Sequence, residues 1–375
     1  MARIRVLVVD DSVVVRKLVT DVLAADPEIE TVGTAANGRI ALSKILQLNP
    51  DVVTLDIEMP IMDGMETLRE LRKLHPKLPV IMFSTLSERG AAATLEALSL
   101  GATDYVTKPS NVGSVAIGQQ RIRDELIPKI KALCGRKNIA SVSTLVASAQ
   151  SKPLAAAPRG TKVAPPTDGR IDVIAIGVST GGPNALATLI PLLPADFPIP
   201  IVIVQHMPPV FTKLLAERIR KSSRLNVQEG VTSGVVERGH VWIAPGNYHM
   251  QVRRERTVVR LALDLGAPEN SCRPAVDVLF RSVARTFGNR ALGVVLTGMG
   301  QDGLRGSEEL VDAGSRVVVQ DQESSVVWGM PGFVAQAGLA DRVLPLHQIA
   351  DELIRRAREG RRAQTPDMTR AGSIA

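Results

Sequence analysis

Three side chains far apart in the chain have the chemistry of an acyl-transfer site. Ser179 lies in IAIGVSTGGPNAL, where Gly177, Ser179 and Gly181 match G-x-S-x-G. A strand-length apolar run leads into it and a helical pattern follows, so the serine is expected on a sharp turn at a strand end. A serine hydroxyl needs a base, usually histidine. The chain has 5 histidines, and His206 is placed best, at the end of the apolar run IVIVQHMPP. His249, in APGNYHM, is the second candidate. The third member should be a carboxylate at the same edge. Asp302, in the glycine-rich turn LTGMGQDG, can orient the imidazole and stabilise its cation. Asp321 and Asp277 are the other candidates, Asp277 sitting in the amphipathic run PAVDVLF. Backbone N–H groups at Thr180 and Met299 are placed to steady an oxyanion. A phosphate-binding loop is the other reading of GVSTGG, but the GK[ST] ending is missing. Ser179 and Asp302 also read as helix N-caps when each is taken alone.

A second set of residues points to phosphoryl chemistry. Asp10 and Asp11 follow the first strand-like run, Asp56 ends the third, Ser84 the fourth, and Lys108 follows the fifth. In an open parallel sheet these positions share the carboxyl edge, where ligands bind. Three acids at close range favour a divalent cation, and oxygen ligands with room for water and phosphate suit Mg2+. An aspartate beside the metal can attack a phosphoryl group and form an acyl phosphate. Lys108 can then pair with the phosphate and Ser84 can donate a hydrogen bond to it. The Lys108–Pro109 bond is a candidate cis peptide that would aim Lys108 inward.

The elements that must position these residues alternate in type. Strands are expected at Arg3–Val9, Glu30–Ala35, Val52–Leu55, Val80–Phe83 and Asp104–Thr107, with helical spacing between them. That pattern predicts a parallel sheet covered on both faces. A stretch from about 137 to 169, rich in Ala, Ser, Thr and Pro, reads as a linker. A second α/β unit follows, with strands expected at Asp172–Gly177, Ile201–Gln205, Val241–Ala244, Val258–Leu263, Leu292–Leu296 and Arg316–Val319, and a β-hairpin insertion around 235–265. The division is therefore 1–125, a helix and linker over 126–169, a second domain over 170–362, and a flexible tail over 363–375.

Composition narrows the classes. At 375 residues and 45% hydrophobic, the chain holds two to three domains and is not globally disordered. A net charge of +7 is modest for this length and reads as a solvated surface and basic linker, so no nucleic-acid partner is expected. Two distant cysteines, Cys134 and Cys272, form no CxxC pair, which fits reduced thiols in the cytoplasm. The apolar run at the N-terminus stops at Asp10, and no apolar run suits a membrane span, so neither a signal peptide nor membrane insertion is expected.

Two resemblances follow from these motifs. VVDDS, LDIEMP, the serine after the fourth strand and the KP after the fifth resemble a response-regulator receiver domain over about 1–125. That resemblance implies a flavodoxin-like fold and phosphorylation of Asp56 by a histidine kinase. It also implies Mg2+ held by Asp10, Asp11, Asp56 and the Glu58 backbone carbonyl, with Ser84, Tyr105 and Lys108 forming the switch. GVSTGG, QHMPP, IAPG, RPAVDVLF, LTGMGQDG and GMP resemble the catalytic domain of the chemotaxis protein-glutamate methylesterases over about 170–360. This second resemblance implies a doubly wound α/β esterase domain, with Ser179 as nucleophile, His206 as base and Asp302 as orienting acid. Its expected activity is demethylation of glutamate methyl esters on the cytoplasmic helices of chemoreceptors, with deamidation of specific receptor glutamines and no cofactor for the ester chemistry. Val178 stands where that family usually has alanine. A receiver with a DNA-binding output is the rival from another class, and it predicts a compact helical second domain. A binding module that retains the three residues without turnover is the other alternative.

Overall fold

The apolar runs of the first unit become strands because parallel strands are buried on both faces and need unbroken Val, Ile and Leu. The computed structural model describes residues 3–108, 115–135 and 169–359. These form two compact units divided between residues 165 and 166. The linker over 136–168, the Lys108–Pro109 bond and the tail from 360 lie outside the described residues.

In the first unit the strands are β1 (Ile4–Val9), β2 (Ile29–Ala35), β3 (Val52–Asp56), β4 (Val80–Ser84) and β5 (Asp104–Thr107). All pair in parallel in the order β2-β1-β3-β4-β5. Five helices alternate with and follow them: α1 (Val13–Ala24), α2 (Gly38–Leu48), α3 (Gly64–Leu74), α4 (Glu88–Ser99) and α5 (Val115–Cys134). Side-chain caps at Ser12, Asn37, Asp63 and Ser87 open the first four. Ile122, Leu126 and Ile130 of α5 are buried in the same core as Val6, Val8 and Ile81, so a boundary at 125 falls inside this helix. Chain order reverses beside β1. Val9 pairs with Leu55, and the next residues, Asp10 and Asp56, therefore meet at the carboxyl edge.

The second unit is built on seven parallel strands in the order β14-β13-β12-β6-β7-β9-β8. Their ranges are β6 (Val173–Val178), β7 (Ile201–Gln205), β8 (Asn226–Glu229), β9 (His240–Ile243), β12 (Ala291–Val295), β13 (Arg316–Gln320) and β14 (Arg342–Leu344). The helices here are α6 (Gly182–Leu189), α7 (Phe211–Ser222), α8 (Val276–Phe287), α9 (Leu304–Asp312), α10 (Met330–Gln336) and α11 (Leu346–Arg358). The expected hairpin is present as β10 (His249–Glu255) and β11 (Val258–Asp264), paired antiparallel. It rests on α8, with Val252 N–H donating to Ser282 Oγ at 3.0 Å. The sheet winds outward from β6 through β7 and returns to place β12 on β6's other side. The crevice for a ligand therefore lies at the carboxyl ends of β6, β7 and β12.

Candidate active site

The first unit brings Asp10, Asp11, Asp56 and Lys108 together. Asp10 and Asp56 are buried, Asp11 is exposed, and ligand oxygens of all three lie within 4.8 Å of one another. Lys108 Nζ is 2.8 Å from Asp56 Oδ1 and 3.0 Å from Asp10 Oδ2. Burial pushes the Asp56 carboxyl up to about 6 against the pull of Lys108. Three clustered carboxylates facing a single ammonium offer hard oxygens that fit a hard cation such as Mg2+. Glu58 sits in the turn two residues after Asp56, with its side chain turned outward toward Arg89 at 3.6 Å. Gly64 opens α3 directly beneath the pocket, where a Cβ would come 2.0 Å from the Asp56 carbonyl oxygen.

Of the three switch residues, Lys108 touches the acids, while Ser84 and Tyr105 are engaged elsewhere. Ser84 Oγ accepts from Thr94 Oγ1 at 2.5 Å and reaches the Gly90 carbonyl at 3.2 Å, so its hydroxyl belongs to α4 in this arrangement. Tyr105 is buried, with Lys129 Nζ 5.1 Å from the ring centroid and 2.6 Å from the Tyr105 carbonyl oxygen.

The second unit brings Ser179, His206 and Asp302 to one edge. Val178 pairs with Gln205, so Ser179 and His206 follow each other at adjacent strand tips. Gly181 has φ +79°, the left-handed conformation that lets the chain turn from β6 into α6. Buried Gln205 ties the tips together by donating from Nε2 to the Ser179 carbonyl at 3.0 Å. Ser179 N–H donates to the Thr297 carbonyl at 3.0 Å, which joins its turn to the one after β12. Gly298 lies against it, where a Cβ would come 2.9 Å from Ser179 Cβ and 2.4 Å from Met330 Sδ. Met299 is the next residue of that turn. Thr180 is buried, and its carbonyl accepts from Thr297 Oγ1 at 2.9 Å.

His206 Nε2 is 2.8 Å from Asp302 Oδ2. Asp302 is buried and heavily bonded: Oδ2 also accepts from Val276 N–H at 2.6 Å, and Oδ1 accepts from Asn270 Nδ2 at 2.9 Å and Asp277 N–H at 3.0 Å. Burial works to raise its pKa, but His206 and these donors overcome that and keep it below the usual range. Burial likewise works to lower His206. Its bonds to Asp302 and to Cys272 outweigh the loss of water, and the ring is raised to about 10. Cys272 is the neighbour that sequence reasoning did not anticipate: its Sγ lies 3.7 Å from His206 Nδ1. Ser179 is not hydrogen-bonded to the ring here, so the structure brings the three residues to one edge with only the His206–Asp302 pair closed.

The remaining candidates fall elsewhere. Asp277 is buried and engaged by Gly303 N–H, Gly306 N–H and Asn270 Nδ2. Asp321 accepts from Ser324 in its own turn. His249 is buried at the start of β10 with Nε2 3.0 Å from the Ala267 carbonyl. Val178 is buried, and its Cγ2 packs where a Cβ of Gly182 would sit, at 2.6 Å, so it acts on the turn from beneath.

An acidic receiver-like pocket and a Ser, His, Asp set on a doubly wound sheet, carried by one chain, define a response regulator with a hydrolase-type output. The comparisons agree for each half. Residues 6–116 match the response regulator receiver domain and residues 174–353 match the CheB methylesterase family. The chain is 52% identical over 356 residues to a protein-glutamate methylesterase/protein-glutamine glutaminase of Trichodesmium erythraeum, covering 95% of this chain and 99% of that one. It is 50% identical over 374 residues to the protein of the same description from a Nocardioides species, covering 100% of each. The crystal structure of the Thermotoga maritima CheB methylesterase catalytic domain is 43% identical, covers 49% of this chain and 98% of its own, and has a TM-score of 0.49. On the full-length relatives, the chain belongs to the CheB-type protein-glutamate methylesterase/protein-glutamine glutaminase family. Its second unit is an α/β sheet domain, so the helical DNA-binding output does not apply. Among the described residues, no helix is long and apolar enough to cross a membrane.

Proposed function

We propose that the protein is a phosphorylation-regulated serine hydrolase. It removes methyl groups from glutamate γ-methyl esters on the cytoplasmic helices of chemoreceptors and deamidates specific receptor glutamines. The observation that supports this best is the 2.8 Å His206–Asp302 bond beside Ser179 at the sheet's crevice.

With Asp302 on Nε2, the Nδ1 atom of His206 is the one left to take the Ser179 proton. Ser179 Oγ bonds to the ester carbonyl carbon as its proton passes to Nδ1. The carbonyl electrons move to oxygen, where N–H groups at Thr180 and Met299 stabilise the charge. Collapse breaks the bond to methoxide, which leaves as methanol with the proton from Nδ1. Water then cleaves the acyl-serine by the same route and restores the serine and a free glutamate. A glutamine follows the same path with ammonia as the leaving group.

In the first unit, Asp56 is the phosphoryl acceptor from a chemotaxis histidine kinase. Asp10, Asp11, Asp56 and the Glu58 carbonyl would hold Mg2+, which supplies positive charge to the phosphoryl oxygens. Lys108 pairs with the phosphate, and Ser84 leaves α4 to donate to it as Tyr105 repacks.

The test is release of labelled methanol from methylated chemoreceptor membranes, with and without acetyl phosphate and Mg2+. Release should be lost in Ser179→Ala and should lose its stimulation in Asp56→Asn. No release by the wild type in any condition would move the assignment to a binding module.

A further inference from the structure

His206 is gripped at both ring nitrogens, and the second grip is the unusual one. Asp302 holds Nε2 at 2.8 Å, and Cys272 Sγ stands 3.7 Å from Nδ1. A ring nitrogen offers one in-plane position, so Nδ1 does not serve the sulfur and the Ser179 hydroxyl together. This holds in either protonation state. A neutral ring accepts from S–H, and a cationic ring donates to sulfur.

The segment that carries Cys272 is braced. Cys272 N–H donates to the Glu269 carbonyl at 2.9 Å, and Glu269 N–H returns the bond at 3.0 Å. Asn270 and Ser271 between them have φ of +51° and +60°, which non-glycine residues rarely adopt. Asn270 Nδ2 reaches Asp302 at 2.9 Å and Asp277 at 2.8 Å. Glu269 is locked to Arg281 at 2.7 Å. One short loop thus fixes Cys272 against Nδ1 and Asn270 against the carboxylate on the far side of the ring.

We infer that Cys272 is a positioning residue for the base: it parks His206 Nδ1 away from Ser179, and the ring must leave the sulfur before Ser179 can be deprotonated. This inference rests on His206 being the base of the proposed reaction. A sulfur contact is weak enough to be exchanged during turnover, unlike the Asp302 bond.

The consequence is a pH dependence. The groups directly on the ring are Asp302 and Cys272. Asp277, the Glu269–Arg281 pair and His249 form the next layer. The net effect of both neighbours is to raise the ring, Asp302 first and Cys272 after it, so removing the sulfur frees the base at lower pH.

The experiment compares kcat/KM for methanol release by the full chain between about pH 5 and pH 10, because that profile reports ionisations of the free enzyme. Cys272→Ala and Cys272→Val are used together, since the valine keeps bulk without a polar atom. Both should move the acid limb to lower pH by about one unit, with roughly tenfold higher activity below it and KM unchanged. Profiles that superimpose on the wild type, or a change in KM alone, would overturn the inference. His206→Gln separates the two levels. If that variant is inactive while the cysteine variants match the wild type, only the parking role fails. If it keeps full activity, the assignment of the base fails as well.

Discussion

Asp277 and Asp302 each cap the helix that the other introduces. Asp277 lies in the first turn of α8, whose leading N–H groups, Val276 and Asp277, donate to Asp302. Asp302 lies just before α9, where Gly303 and Gly306 N–H donate to Asp277 at 3.0 and 2.6 Å. Two helix N-termini, each with partial positive charge, thus hold two buried carboxylates side by side. Asp277→Ala should cost about 1–3 kcal/mol of stability, because the Gly306 N–H loses its acceptor while Gly303 N–H keeps Asp302 Oδ1. It should also lower turnover, because the loop that aims Asp302 at His206 loses its anchor. Thermal melts and methanol release on the same preparation check both effects.

A second buried acid makes an acid-side prediction. Glu352 on α11 accepts from Arg355 Nε and Nη2, both at 2.9 Å, and from Arg356 Nε at 2.6 Å. The hydrogen bonds from Arg355, then those from Arg356, pull its carboxyl down to about 2 from 4.5 despite burial. A lowered folded-state pKa contributes stability that is fully present above the unfolded value and lost as pH falls through the folded one. Glu352→Gln should therefore melt several degrees below the wild type at pH 7. The gap should shrink between pH 4.5 and about 2. A gap of constant size across that window would show that the charge on Glu352 is not what stabilises α11.

Much of this was legible in the residues because the signals were strong and local. Short Val- and Ile-rich apolar runs bounded by turn residues read as buried parallel strands, and each site residue follows such a run or lies in a glycine-rich turn. That Ser179, His206 and Asp302 fall on one edge could be read because the first two follow strands and Asp302 lies in the turn between β12 and α9. What stayed hidden was weakly patterned or long-range. β8 reads NVQE and β14 is only RVL, so neither carries an apolar run; their place is set by neighbours. Gln205 reads as one more strand residue until β6 is laid beside it. Cys272 gave no signal at all, since its partner at 3.7 Å lies 66 positions away. Asp277 was legible as a helical residue, but its bonds to Gly303 and Gly306 arise only where α8 and α9 meet.

Gly298 tests how tightly the serine turn is packed. A methyl group there would stand 2.4 Å from Met330 Sδ, 2.9 Å from Ser179 Cβ and 3.1 Å from Ser179 N. Met330 Sδ is on a flexible side chain, but the Ser179 contacts are on the turn itself. Gly298→Ala should therefore displace Ser179 and the adjoining Met299 N–H together. A displacement of this order costs roughly 100-fold in rate. Methanol release should fall accordingly, while phosphorylation of Asp56 by acetyl phosphate stays at the wild-type level. An equal loss in both would point to general misfolding.

Asp302→Asn addresses the pair at the centre of the proposed chemistry. The amide keeps the shape but loses the charge that, with Cys272, holds His206 up at about 10. Five donors surround its oxygens: His206 Nε2 and Val276 N–H on Oδ2, and Asn270 Nδ2, Asp277 N–H and Gly303 N–H on Oδ1. Both oxygens accept, so in either orientation the amide NH2 group faces donors that have lost their acceptor. The His206 pKa should fall, because the anion that stabilised its cation is gone. Activity should drop even though more of the ring is neutral, since Nε2–H no longer has a carboxylate to fix the tautomer and steady the charge formed in the transition state. A loss of about 10^4 in kcat is expected from the equivalent change in a serine triad. An NMR titration of His206 alongside kcat separates the two effects. A lowered pKa with undiminished turnover would show that Asp302 only sets the resting charge of the ring.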